Sequence, residues 1–326
     1  MSPPKPSGST RAGAVRAVFG SLGARTVGAL AVLLVLVSLV FLALRLLPGD
    51  PAALVLGEQA PEIERALLRA RLGLDRPLGV QYARFVAGLF TFDLGDSLAR
   101  PGTSAFSEVW RALGPTAALA SVAVVVGALG GITAALLSVG PWLGARREWA
   151  HRGIVVVAAT PLIAFAPLLT YLLAVKLRWV PLPGDPDSGA SGLLFASGLL
   201  AIPLGAQVAR IGRAALLDQA GAKFLDVARA KGGGALRVWV VHALPAAFSP
   251  IAVVIATQLG ALLGGAVVLE RLFERPGLGT LMLNAYAARD IPVLEASVAA
   301  AGGLFVVAQA LAALASAVID PRTRPS

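Results

Sequence analysis

Asp226, Arg229 and Lys231 fall within one short stretch, FLDVARAKGGGAL at residues 224–236, flanked on both sides by almost pure hydrocarbon. Their spacing suits a charged helical face offered to water or to another protein, and no nucleophile or base accompanies them. Other chemistries lack their parts. No G-x-x-x-x-G-K-[ST] loop occurs, and the glycines Gly232–Gly234 follow Lys231, the reverse of the phosphate-loop order. The chain has no cysteine, and its two histidines, His151 and His242, stand far apart without ligand-like neighbours, so no metal is expected. GASG at Gly189–Gly192 places Ser191 in a loop expected on the opposite side of a membrane from both histidines, which does not suit a serine protease. The short charged helix is therefore the feature to explain.

The elements that must position it are apolar. Of 326 residues 57% are hydrophobic and 14% charged, where soluble domains carry about a quarter charged, so the expected class is an all-α polytopic membrane protein. Spans of about 20 apolar residues are read at Val27–Leu47, Thr116–Leu137, Gly153–Val175, Leu193–Val208, Ile251–Leu269 and Val293–Ile319, which makes six. The amino-terminal segment carries Lys5, Arg11, Arg16 and Arg25 with no acid, and Arg146, Arg147, Arg152, Arg210, Arg213, Lys223, Arg237, Arg322 and Arg324 fall in alternate connections. Lys and Arg collect on the cytoplasmic side, so both termini and the 224–236 stretch are expected there, and the net charge of +10 needs no nucleic-acid partner. The first apolar run exceeds a signal-peptide core and no A-x-A site follows it.

The corresponding organisation is a cytoplasmic tail at 1–26, a first span at 27–47, an extracytoplasmic helical segment at 48–112, a transmembrane core at 113–319 with a cytoplasmic loop at 214–246, and a tail at 320–326. Within 48–112, PEIERALLRARLGL and PLGVQYARFVAGLF are amphipathic, the second with a stripe of Leu78, Tyr82, Phe85, Val86 and Leu89. Such helices either lie on the outer surface, cap a vestibule or pack on the spans. Arg45 is read as the single full charge inside the spans, close enough to the outer end to reach water. Gln258 and Gln309 are polar but do not titrate; they serve either an interhelical hydrogen bond or the wall of a pathway. Coupling to an ion gradient thus lacks groups to carry it, which leaves a powered partner.

Locally, Ala222–Lys231 reads as a helix of two to three turns, with Phe224, Leu225 and Ala228 forming a small apolar face and Gly232 stopping it. The segment resembles the E-A-A-x-x-x-G-x(9)-I-x-L-P motif of binding-protein-dependent ABC importer permeases. Asp226 takes the acidic position, Val227 and Ala228 the alanines, Gly232 the glycine and Leu244–Pro245 the final pair, while His242 replaces the isoleucine. VARAKG followed by HALPAAFSP, which includes His242 and Pro250, is similar to the dipeptide/oligopeptide/nickel branch of these permeases. So are LPGDP at 47–51, LGLDRPLGVQYARF at 72–85, DLGDS at 93–97, LRWVPLPG at 177–184, QLGALLGGAVVLERLFERPGLGTL at 258–281, RDIPVLEA and the closing DPR. GGG in place of GLS, and LSVGPWLGARR before the third span, depart from the pattern.

The resemblance implies a type I permease fold of the first-permease type in the cytoplasmic membrane of a bacterium or archaeon. It implies a non-catalytic subunit that forms half the pathway of an importer of di- or oligopeptides, with nickel chelates, opines or glutathione-like compounds as alternative cargo. Its partners would be a second permease, two ATPase subunits that bind ATP–Mg, and an extracytoplasmic binding protein; this chain itself would hold no cofactor. Arg229 and Lys231 would meet acids on the ATPase, while Phe224 and Leu225 would fill its groove. Gly260–Gly265 suits close helix packing near the pathway, and the segment from Glu270 through Pro276 and Gly277 is similar to an external lip or gate, so Gln258, Gly264, Gly265, Glu270, Pro276 and Gly277 are the pathway candidates. An ion-coupled secondary carrier is the alternative of another class.

Overall fold

The computed structural model describes residues 9–46, 51–57 and 59–319. The first eight residues, residues 47–50 of LPGDP and the tail 320–326 lie outside the described residues. Helices occupy Ser9–Leu46 (α1), Pro51–Leu56 (α2), Glu62–Leu72 (α3), Leu78–Thr91 (α4), Ala105–Val139 (α5), Arg147–Ala159 (α6) and Leu162–Thr170 (α7). They continue with Gly189–Gln219 (α8), Lys223–Ala230 (α9), Ala235–Arg237 (α10), Leu244–Ala246 (α11), Phe248–Leu272 (α12), Leu278–Ala287 (α13) and Ile291–Ile319 (α14). A π-helical stretch, Val238–Ala243, joins α10 to α11. Among the described residues there is no strand, only an isolated bridge between Asp96 and Ser104.

Among the described residues, five helices are long and apolar enough to cross a membrane: α1 from Val27, α5, α8, α12, and α14 to Leu311. The third expected span, Gly153–Val175, is not one helix. It breaks between α6 and α7 with a bend of 106°. Proline disfavours the helical region for the residue before it; Thr160 (φ −87°, ψ 123°) and Pro161 (φ −62°, ψ 139°) are both extended, and the Pro161 carbonyl then accepts the amides of Ala164 and Phe165 to start α7. Other bounds shift outward. α1 is already helical from Ser9, inside the segment read as a tail, and α5 begins at Ala105, before the 112–113 boundary. α8 extends to Gln219, about 46 Å at 1.5 Å per residue. Helix resumes at Ala235, so little of the 214–246 loop is irregular.

The chain divides into two compact units, one centred on Leu119–Gly265 and one on Leu30–Ala118 with Ala266–Leu304. In the first, α5 and α8 approach closely through glycine. A Cβ on Gly131 would stand 2.5 Å from the Gly205 carbonyl oxygen and 2.7 Å from Val208 Cβ, and one on Gly127 would stand 2.5 Å from Leu204 Cδ2. In the second, Phe85 of α4 is buried with Val37 and Phe41 of α1, and Tyr82, Val86 and Leu89 pack around them. The amphipathic α4 therefore packs on the first span, with Tyr82 hydroxyl 2.7 Å from Ser38 Oγ. Leu78, expected on the same stripe, is exposed instead.

Gly131→Ala should destabilise the chain by about 1–3 kcal/mol, the range for overpacking. Gly130→Ala, whose Cβ would meet nothing within 4 Å, should be neutral or slightly stabilising. Thermal unfolding in mild detergent checks this; equal midpoints would remove the α5–α8 contact as an explanation for the glycine.

Candidate functional site

α9 is short, and its ends are fixed by backbone hydrogen bonds. Ala222 is extended at its start and Gly232 adopts φ +81° just past its end. Gly232 N–H donates to the Arg229 carbonyl (2.9 Å) and Gly233 N–H to the Ala228 carbonyl (3.1 Å), the paired bonds of a Schellman stop. The three glycines have separate reasons. Gly232 supplies the left-handed φ, a Cβ on Gly233 would stand 2.7 Å from the Ala228 carbonyl oxygen, and Gly234 caps the next helical turn by accepting from Val238 N–H at 3.0 Å. The triple glycine is thus a hydrogen-bonded stop, in keeping with the helix stop expected at Gly232.

Leu225 corrects a sequence expectation. It is fully buried in its own unit, among Ala135, Val139, Leu216, Val238, Trp239 and Ala243, and is not available to fill another subunit's groove. Ala228 and Leu244 pack against the same cluster. The outward apolar pair is Phe224 and Val227, 43% and 53% exposed; Val227 was missed, although i,i+3 spacing places it beside Phe224. Asp226 and Arg229 pair within the helix at 2.8 Å, and Lys231 is exposed. Of the candidates His242, Leu244, Pro245 and Pro250 in the following motif, only Leu244 packs on the cluster, beside its buried neighbours Ala243 and Ala247. His242, Pro245 and Pro250 are exposed, with Pro250 in the first turn of α12, where a missing N–H costs no helical bond. Arg213, counted in the sequence only as positive charge, is mostly buried, donates to the Ser138 carbonyl and lies 3.6 Å from Glu148, joining α8 to the end of α5 and to α6.

The pathway candidates separate into the two units. Gln258 is partly buried in the first, where Gly265 faces Leu200 and Leu162 while Gly264 has open space. Glu270, Pro276 and Gly277 belong to the second. Glu270 is 1% exposed and is an anchor, not an accessible lip. Its Oε1 accepts from Thr116 hydroxyl (2.6 Å), and its Oε2 accepts the Gly279 and Thr280 amides (2.8 and 3.1 Å) at the start of α13. Thr116 Oγ1 in turn accepts from Leu278 N–H at 2.8 Å. A carboxylate here takes up amides that a helix start leaves unpaired. Gly277 is required by proximity, since a Cβ there would stand 2.1 Å from Glu270 Cδ. Pro276 is exposed.

Two further buried nodes were missed by the sequence reading. Asp290 is 3% exposed and accepts from Ser97 hydroxyl and from Ala99 N–H (3.2 Å), fixing the DLGDS loop to the start of α14. Arg45 does not reach for water. Its side chain is 14% exposed and forms an ion pair with Glu295 of α14, 6% exposed, while Arg45 Nε donates to Gln81 Oε1 of α4 (3.0 Å) and the guanidinium covers the Phe41 ring at 3.6 Å. Glu295 is a second full charge within the expected spans, and its partner explains its presence there. Among the described residues no cluster of His, Cys, Asp or Glu could hold a metal ion.

Residues 127–325 match the family model described as binding-protein-dependent transport system inner membrane component, and residues 19–103 match the model of the amino-terminal part of such membrane components. A Brucella abortus protein provisionally named a peptide transport system permease is 34% identical over 92% of this chain and 97% of its own. A glutathione transport system permease protein of Salmonella paratyphi A is also 34% identical over the same shares. A Sinorhizobium fredii protein named as a probable peptide ABC transporter permease is 30% identical, again over 92% and 97%.

Glu295→Ala, which leaves Arg45 buried without its counter-charge, should cost about 3–5 kcal/mol, whereas the double replacement Arg45→Met with Glu295→Leu should recover most of that loss. Unfolding midpoints of both variants in detergent decide it. Gly277→Ala should lower the midpoint as well, because Glu270 must then leave its amides.

Proposed function

Because the chain belongs to the family of binding-protein-dependent transport system inner membrane components, we propose that it forms half of the translocation pathway of an ATP-driven peptide importer and receives its driving motion through α9. The observation that carries this reading is the division of α9 into two faces. Leu225 locks it to its own unit at zero exposure, while Phe224 and Val227 stand free outside. A helix that cannot move independently of the bundle passes a partner's displacement on to the spans without loss.

In this mechanism two ATPase subunits carry ATP–Mg and close on one another when it binds. Each presses on a short helix of the kind α9 represents, and the spans rock to open the cavity to the outside, where a binding protein delivers cargo. Hydrolysis resets them. A second permease completes the pathway. Phe224 and Val227 make the apolar contact with the ATPase, and Lys231, with the Asp226–Arg229 pair, sets its orientation by charge. The network around Glu270, Gly277 and α13 is the rigid rim of the outer gate. The basic connections place α9 in the cytoplasm. Peptide as cargo is supported by the names carried by the Brucella and Sinorhizobium relatives; glutathione, itself a tripeptide, is the second reading, favoured by the equally similar Salmonella relative.

The test is recovery of tagged chain from its host in mild detergent, with mass spectrometry of what accompanies it, and uptake of labelled dipeptide, oligopeptide and glutathione. Two ATPase copies and a second permease are expected. Phe224→Asp should leave the chain folded but reduce ATPase recovery and uptake, whereas Leu225→Ala should cost about 2–5 kcal/mol of stability. Uptake that persists without any ATPase would overturn the reading.

A further inference from the structure

A cavity of about 410 Å³ opens beside α9 in the first unit, lined by Arg147, Arg229, Val139, Ala235, Val238 and Trp239 among others. That size lies in the ~300–1,000 Å³ range of small-ligand pockets. Two arginines and no acidic residue contribute to its lining. Asp226 neutralises part of the charge of Arg229, while Glu148 is paired with Arg213, outside the lining. Arg229 keeps donors beyond the one given to Asp226, because a guanidinium carries five, and Arg147 is exposed.

The chemistry of the walls narrows the ligand. A guanidinium matches the fork geometry of a phosphate, and two arginines line this cavity. The floor of Val139, Val238 and Trp239 is apolar and nearly closed to solvent, which suits a phosphate that arrives attached to hydrocarbon. The connection that carries Arg147 follows directly on the apolar α5 and has the composition of a membrane interface. Trp142 and Trp149 are exposed, Arg152 covers the Trp149 ring at 5.1 Å, and Arg146 adjoins Arg147. Tryptophan concentrates at headgroup level, and basic side chains there attract anionic lipid. We propose that this cavity binds the phosphate group of an anionic phospholipid from the adjacent leaflet, with Arg147 and Arg229 as its ligands. The lipid then sits against the residues that end α9 and fix its angle.

Arg229 is shared with the coupling reading, so the test varies Arg147 and reads lipid retention separately from ATPase recovery. The full-length chain, with the subunits that accompany it, is delipidated in mild detergent and titrated with phosphatidylglycerol, phosphatidylcholine or inorganic phosphate, and bound lipid is counted by native mass spectrometry. Phosphatidylglycerol should bind in preference to phosphatidylcholine and withstand inorganic phosphate. Arg147→Gln should weaken it about tenfold, as expected for one lost charge-assisted contact, and Arg147→Lys should restore part of the affinity. Ala235→Glu, which adds a carboxylate to the lining, should weaken it as well, so the result does not hang on one variant. Equal binding of the two lipids, or retention unchanged in both Arg147→Gln and Ala235→Glu, overturns the proposal. Displacement by inorganic phosphate would make the ligand a soluble anion and overturn the lipid assignment. So would a loss of ATPase recovery in Arg147→Gln with lipid retention intact, which would make the cavity a partner contact.

Discussion

A helix end in apolar surroundings cannot leave its amides and carbonyls to water, and this constraint governs where the chain places its few buried polar groups. Glu270 takes the amides that start α13, Asp290 helps fix the start of α14 and holds the DLGDS loop, and Arg213 takes a carbonyl near the end of α5. Each polar side chain therefore acts as a joint between two elements. The Arg45–Glu295 pair is the most demanding case, since a guanidinium and a carboxylate both lose most of their hydration there; the additional contacts to Gln81 and Phe41 compensate part of that cost.

The same economy shapes the proposed coupling element. A helix of eight residues is too short to be stable alone. α9 owes its form to one buried leucine and to the hydrogen-bonded stop at Gly232–Gly233. Fixing it so firmly leaves its outer face small, with two apolar side chains and a few charges, which suits a partner that presses on it and does not envelop it.

Much of this was legible in the sequence. Apolar runs of span length located the five helices long enough to cross a membrane, because the requirement for hydrocarbon contact is written in composition alone. The D-V-A-x-x-x-G spacing located α9 to within a residue at each end. What the sequence hid were pairings between distant residues: nothing local distinguishes an arginine reaching for water from one that meets Glu295, and Leu225 and Phe224 are adjacent residues whose opposite fates depend on α5 and α8. Other signals were present but underweighted. Thr160–Pro161 should have argued against a continuous third span, and Glu295 lay within the sixth span as drawn. The segment from Glu270 was read as an external lip or gate by its likeness to the permeases of this family, and only the partners of the Glu270 carboxylate show it folded inward.

The length of α8 has a mechanical meaning. Its 31 residues form one rod of about 46 Å, buried along one side from Gly192 to Leu216 and pressed against α5 through glycines near its middle. Leu216, at one end of that rod, touches the cluster that seats α9. A rod held near its midpoint is a lever. Tilting it by about 5° about that fulcrum moves each end by roughly 2 Å in opposite directions, since each arm is about half the length of the rod. Gly127 and Gly131 are notches that seat Leu204 and Val208 of α8, so the contact holds the fulcrum in place while a small push at one end becomes an equal and opposite excursion at the other.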